Sequence, residues 1–83
     1  YIVMDGGSTD GSAAILEGWR DRLDTLVIEP DRGQTHAINK GLALARGEIV
    51  TWINSDDMLA PGALHVAALA WMRSRADLVF GHC

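Results

Sequence analysis

A chain of 83 residues makes one small domain or part of one, which excludes separate cofactor and substrate lobes. With 48% hydrophobic residues, 22% charged residues and a formal charge of −4, it can build a core, is not disordered by composition, and has no bulk attraction for nucleic acid. The lone Cys83 leaves no internal disulfide or multi-cysteine zinc site and fits a reducing compartment, and every apolar run breaks long before the ~20 residues of a membrane span.

The run Tyr1-Ile2-Val3-Met4, ending at Asp5-Gly6-Gly7-Ser8, predicts a buried strand and a turn. Ile15, Leu16, Trp19 and Leu23 then share one helical face, with Asp10 or Ser12 placed to cap it. Leu26-Val27-Ile28 predicts a second strand, closed by Glu29-Pro30-Asp31-Arg32-Gly33. A second helical stripe runs through Ala37, Ile38, Gly41, Leu42 and Ala45 and stops near Arg46-Gly47. The β-branched and aromatic run Ile49-Val50-Thr51-Trp52-Ile53 predicts a third strand, ended by Asn54-Ser55-Asp56-Asp57. Pro61 suits the first turn of a third helix carrying Leu64, Ala67, Ala68, Trp71 and Met72, and Leu78-Val79-Phe80 predicts a fourth strand. The chain begins inside one predicted strand and stops just after another, so it reads as a piece of a longer protein, a single partial domain over 1–83.

Apolar strands alternating with helices imply a parallel sheet covered on both faces, an α/β layered fold. Ligands of such sheets bind beyond the carboxyl ends of the strands. Asp5, Asp31, Arg32, Asn54, Asp56 and Asp57 are all expected on that rim, and so many oxygen-bearing groups around one arginine call for a cation or hydrogen-bond donors.

Asn54-Ser55-Asp56-Asp57 supplies hard oxygen ligands that suit Mg²⁺ or Mn²⁺, which need only one or two carboxylates when substrate phosphates complete the sphere. The same residues also serve simply as turn formers. Asp5-Gly6-Gly7-Ser8-Thr9-Asp10-Gly11 is neither a Walker loop nor a dinucleotide fingerprint. Asp5 at the strand tip suits a base or ribose, or else it only caps its turn. Arg32 can pair with phosphate, or with Asp31 and Glu29 beside it. Asn39 could tie loop to helix, and Lys40 reads as part of a solvated face. His36, His65 and His82 have no spacing of a metal trio; the first two read as surface residues, and His82, after the last strand, is kept as a candidate ligand or acid/base group. Trp19, Trp52 and Trp71 read as core. No G-x-S-x-G nucleophile elbow is present.

Taken in order, Val3-Met4-Asp5-Gly6-Gly7-Ser8-Thr9-Asp10-Gly11, Glu29-Pro30-Asp31-Arg32-Gly33-Gln34, Ala37-Ile38-Asn39-Lys40-Gly41, Ala45-Arg46-Gly47-Glu48-Ile49 and Asn54-Ser55-Asp56-Asp57 with Pro61-Gly62-Ala63-Leu64 resemble the donor-binding part of family 2 glycosyltransferases. The resemblance spans nearly the whole chain. It implies a Rossmann-like GT-A fold with three layers, here incomplete, and nucleotide-sugar binding by Asp5, Gly7, Ser8, Arg32, Asn54, Ser55 and Asp56. Within that set Asp5 would contact the uracil or equivalent base, Arg32 would lie near the nucleotide, and Asp56 would coordinate Mg²⁺ or Mn²⁺ with support from Asp57. Asn54 stands where the family's D-x-D usually begins with Asp, and an amide carries no charge.

The implied reaction moves a sugar from a nucleoside-diphosphate sugar, with uridine diphosphate foremost, to a hydroxyl of an acceptor glycan or lipid-linked sugar. The resemblance implies polysaccharide or cell-envelope biosynthesis; the expected location is the cytoplasm, with the inner face of the membrane open as a place of action. The family's first strand is expected before Tyr1 and its catalytic carboxylate after Cys83. Two other readings stay open: a nucleotidyltransferase that forms sugar nucleotides, and a non-catalytic nucleotide-binding module.

Overall fold

A computed structural model of the chain describes residues 1–81. His82, the candidate ligand at the end of the chain, lies outside the described residues, as does Cys83. The chain forms two compact units, Tyr1–Val50 and Thr51–Cys83, each described by itself.

The first unit is an α/β assembly. Strands β1 (Ile2–Asp5) and β2 (Thr25–Ile28) pair in parallel, with Ile2 opposite Thr25 and Asp5 opposite Ile28. A parallel pair needs a crossover, and helix α1 (Ser12–Gly18) with a following 3₁₀ turn at Arg20–Arg22 supplies it. The N-cap of α1 is Gly11, in the left-handed conformation with φ 93° and no side-chain cap, so neither Asp10 nor Ser12 caps the helix as expected; the Asp10 carboxylate instead accepts the Ser12 N–H at 3.1 Å. The turn is drawn to β2 by Arg20, whose guanidinium grips Glu17 through two hydrogen bonds of 2.7 and 2.8 Å and reaches the Leu26 carbonyl at 3.4 Å.

Helix α2 (Gln34–Leu44) packs on β1. The approach is close because Gly41 has no side chain: a Cβ there would sit 3.2 Å from Met4 Cγ. The core centres on β2, where Leu26 is 8% exposed. The predicted stripe of α1 is only partly used, since Leu16 and Leu23 are half-buried while Ile15 is 66% and Trp19 52% exposed. Trp19 instead carries the Arg22 guanidinium 4.9 Å above its ring, a cation–π contact at the surface. Its assignment to the core is therefore corrected.

Two predicted strands do not form among the described residues: Ile49–Ile53 and Leu78–Phe80 lack strand structure. A strand is defined by the backbone it pairs with, and β1 and β2 pair only with each other. The run 49–53 also follows a tight bend, in which a Cβ on Gly47 would lie 3.2 Å from the Ile49 carbonyl oxygen. Trp52, read as core, is 62% exposed for the same reason.

The second unit carries helix α3 (Ala63–Ser74). Pro61 lies in the turn before it rather than in its first turn, because Gly62 adopts a left-handed φ of 76° and the helix starts only after it. Ala67, Ala68 and Trp71 are half-buried and Leu64 and Met72 exposed. Trp71 carries the Arg75 guanidinium 4.5 Å from its ring centre, where Arg75 closes the helix in the left-handed conformation. No described helix is long and apolar enough to cross a membrane.

Candidate functional site

The tip of β1 is a loop built around one carboxylate. Asp5 Oδ1 accepts the backbone N–H groups of Gly7 at 2.8 Å and Ser8 at 2.7 Å, and Oδ2 accepts the Ser8 hydroxyl at 2.7 Å. The loop can fold back this sharply because Gly7 takes φ 91°, which costs a residue with a Cβ about 1–2 kcal/mol. The Ser8 amide, then the Ser8 hydroxyl, and with them the Gly7 amide hold the Asp5 carboxyl below its usual range. Asp5 is thus ionised and structurally engaged, with three of its four lone-pair sites taken and one left on Oδ2 for a further donor.

The loop leaving β2 lies alongside. A Cβ on Gly6 would fall 2.6 Å from Asp31 Oδ2, and one on Gly7 3.7 Å from the Pro30 nitrogen. Gly6 is therefore the residue that lets the Asp31 side chain pass. Asp31 Oδ1 accepts the Gly33 N–H at 2.8 Å, and His36 Nδ1 accepts the Arg32 N–H at 2.9 Å. His36 is half-buried and bonded to the loop, not the plain surface residue its helical position predicted. Lys40 departs from expectation in the same direction. Its side chain is 23% exposed and its Nζ lies 2.7 Å from Glu29 Oε1. The signal for both was the spacing of four residues from Arg32 to His36 and on to Lys40, which places the two side chains on the face of α2 toward its own entry loop.

These contacts bear on Arg32. Its predicted alternative partners are occupied, Glu29 by Lys40 and Asp31 by the Gly33 amide, and among the described residues the Arg32 guanidinium makes no ion pair. Arg32 is exposed, and it follows directly on Asp31, whose side chain lies against Gly6 of the Asp5 loop. A cation presented in this way suits an anionic ligand.

In the second unit, Asn54-Ser55-Asp56-Asp57 forms a turn closed by the Asp57 N–H donating to the Asn54 carbonyl at 3.1 Å. The Asn54 side-chain amide donates to Asp57 Oδ2 at 3.1 Å, so the uncharged residue in the first position of the motif serves to orient the last. Ser55 and Asp56 are exposed, and no hydrogen bond to the Asp56 carboxylate is present among the described residues. No group of three or more metal-ligating side chains occurs among them either. Two exposed carboxylates are a donor set that fits a magnesium-like ion whose remaining ligands are water and phosphate.

The model of the family described as glycosyl transferase family 2 matches residues 1–83. Among curated relatives, the chain is 31% identical to glycosyltransferase GlyG of Streptococcus pneumoniae over 98% of this chain and 28% of that protein. It is 34% identical to the PGL/p-HBAD biosynthesis glycosyltransferase of Mycobacterium bovis over 96% of this chain and 33% of that one. To the succinoglycan biosynthesis protein ExoU of Rhizobium meliloti it is 33% identical over 76% of this chain and 19% of that one. The chain spans a third or less of the length of these relatives. No solved structure matches it significantly. The α/β unit with its small parallel sheet is what an incomplete Rossmann-like GT-A fold contains, and the chain belongs to glycosyl transferase family 2.

Proposed function

We propose that this chain is the donor-binding part of a glycosyltransferase that moves a sugar from a nucleoside-diphosphate sugar, foremost a uridine-diphosphate sugar, to an acceptor hydroxyl. The observation that carries this reading is the exposed Arg32 next in the chain to Asp31, which lies against the pre-folded Asp5 loop, with Glu29 and Asp31 already engaged. Family membership and relatives named as glycosyltransferases support it.

In this reading the Asp5 loop, with Gly7 and Ser8, takes the nucleoside, and Arg32 pairs with the diphosphate. Asn54, Ser55 and Asp56 complete the nucleotide-sugar contacts. Asp56, supported by Asp57, would hold Mg²⁺ or Mn²⁺, which when bound neutralises charge developing on the departing nucleoside diphosphate. Arg32 would contribute positive charge to the diphosphate it pairs with. The base that takes the proton from the acceptor hydroxyl is assigned to no residue of this chain. Relatives named for succinoglycan and PGL/p-HBAD biosynthesis support an acceptor that is a glycan or a lipid-linked sugar.

Calorimetry of the full-length protein with a uridine-diphosphate sugar tests this. Binding that needs Mn²⁺ or Mg²⁺ and is lost in Asp56→Ala is expected; no binding, or binding untouched by that substitution, refutes it.

A further inference from the structure

We infer that His36 is a positioning residue for Arg32: by accepting the Arg32 N–H at Nδ1 it fixes the backbone from which the guanidinium is presented to a nucleoside diphosphate. The inference rests on the proposed role of Arg32.

The loop entering α2 has three ties. Lys40 holds Glu29 at 2.7 Å, Asp31 holds the Gly33 N–H at 2.8 Å, and His36 holds the Arg32 N–H at 2.9 Å. Only the last acts on the backbone of Arg32 itself. Gly33 follows with φ 110°, a conformation open to glycine and rarely to other residues, and its own N–H and carbonyl are taken by Asp31 and the Ala37 N–H, so neither bond reaches the Arg32 backbone directly. His36 is the third residue of α2, the place from which a Glu or Gln side chain reaches back in a capping box. Here a ring nitrogen does so and reaches one residue further, to Arg32, because Asp31 already takes the Gly33 amide. To accept that bond Nδ1 must keep its lone pair, which places the ring proton of the neutral form on Nε2. Among the described residues, the bond to the Arg32 N–H is the hydrogen bond made by this half-buried side chain.

The test measures binding of uridine, guanosine and thymidine diphosphates to the full-length protein with Mg²⁺ present, taking the tightest as probe. His36→Leu, which removes the acceptor, is expected to weaken binding about five-fold, the change that losing one ordinary hydrogen bond corresponds to. His36→Asn, whose amide oxygen sits near the place of Nδ1, is expected to restore it to within about two-fold. With Arg32→Ala already in place, His36→Leu is expected to add nothing. Should Leu unfold the protein, His36→Phe keeps the ring and lacks the acceptor.

Arg32→Ala weakening binding while His36→Leu and His36→Phe leave it unchanged overturns the inference and spares the role of Arg32. Equal losses from His36→Leu with and without Arg32 also overturn it, since they mark a general structural effect. Arg32→Ala without effect, or no diphosphate bound at all, removes the role of Arg32 and this inference together.

Discussion

The loops leaving β1 and β2 differ from the turn at Asn54–Asp57 in how much of their own hydrogen bonding they satisfy. In the first unit Asp5 is engaged by three donors, Asp31 by one and Glu29 by a lysine, so the acids hold the loops in shape and leave Arg32 exposed. In the turn of the second unit, one amide orients Asp57 while Asp56 has no hydrogen bond among the described residues. Carboxylates of one type therefore do two jobs: those enclosed by amides build a loop, and those left open are available to a cation. Exposure and partner count separate the two where sequence composition does not.

The sharpest break in this comparison is Asp56→Ala. Metal-dependent donor binding should fall by about 100-fold by calorimetry, while the unfolding midpoint stays nearly constant because an exposed side chain without partners contributes little to stability. Asp5→Ala should lower stability as well as donor binding, by about 1 kcal/mol in denaturant titration as the loop loses its acceptor. Gly7→Ala should cost about 1 kcal/mol by the same measurement, through left-handed strain alone.

The pH dependence follows from the depressed Asp5 carboxyl. A group whose folded pKa lies below its unfolded value contributes stability that is present above the unfolded value, about 3.9, and lost as pH falls through the folded one. Stability should therefore decline on acidification below about pH 4, and Asp5→Asn should flatten that part of the curve. The smallest effect is expected at Lys40 and Glu29, whose coupling in a double-mutant cycle should be under about 1 kcal/mol and shrink with added salt.

Much of the first unit was legible in the chain's pattern. The short apolar runs ending at Asp5 and Ile28 are β1 and β2, and the stripe through Ala37, Ile38 and Gly41 is α2. Glycine placement announced the turn at Gly7. His36 and Lys40 were not legible as partners of the loop, because a polar residue near a helix start looks the same whether it meets water or folds back on the preceding backbone. The strands at Ile49–Ile53 and Leu78–Phe80 were over-read, since β-branched residues favour extended backbone but pairing needs a neighbour.

What followed from the amino-acid order alone was therefore local and chemical: the apolar runs, the turns, the oxygen-rich motifs and, through their order, the family. What required the folded chain was which of those groups are already engaged. Periodicity and residue type are properties of neighbours along the backbone, whereas the contacts of Asp31 with Gly6, Glu29 with Lys40 and Met4 with Gly41 join residues that only folding brings together.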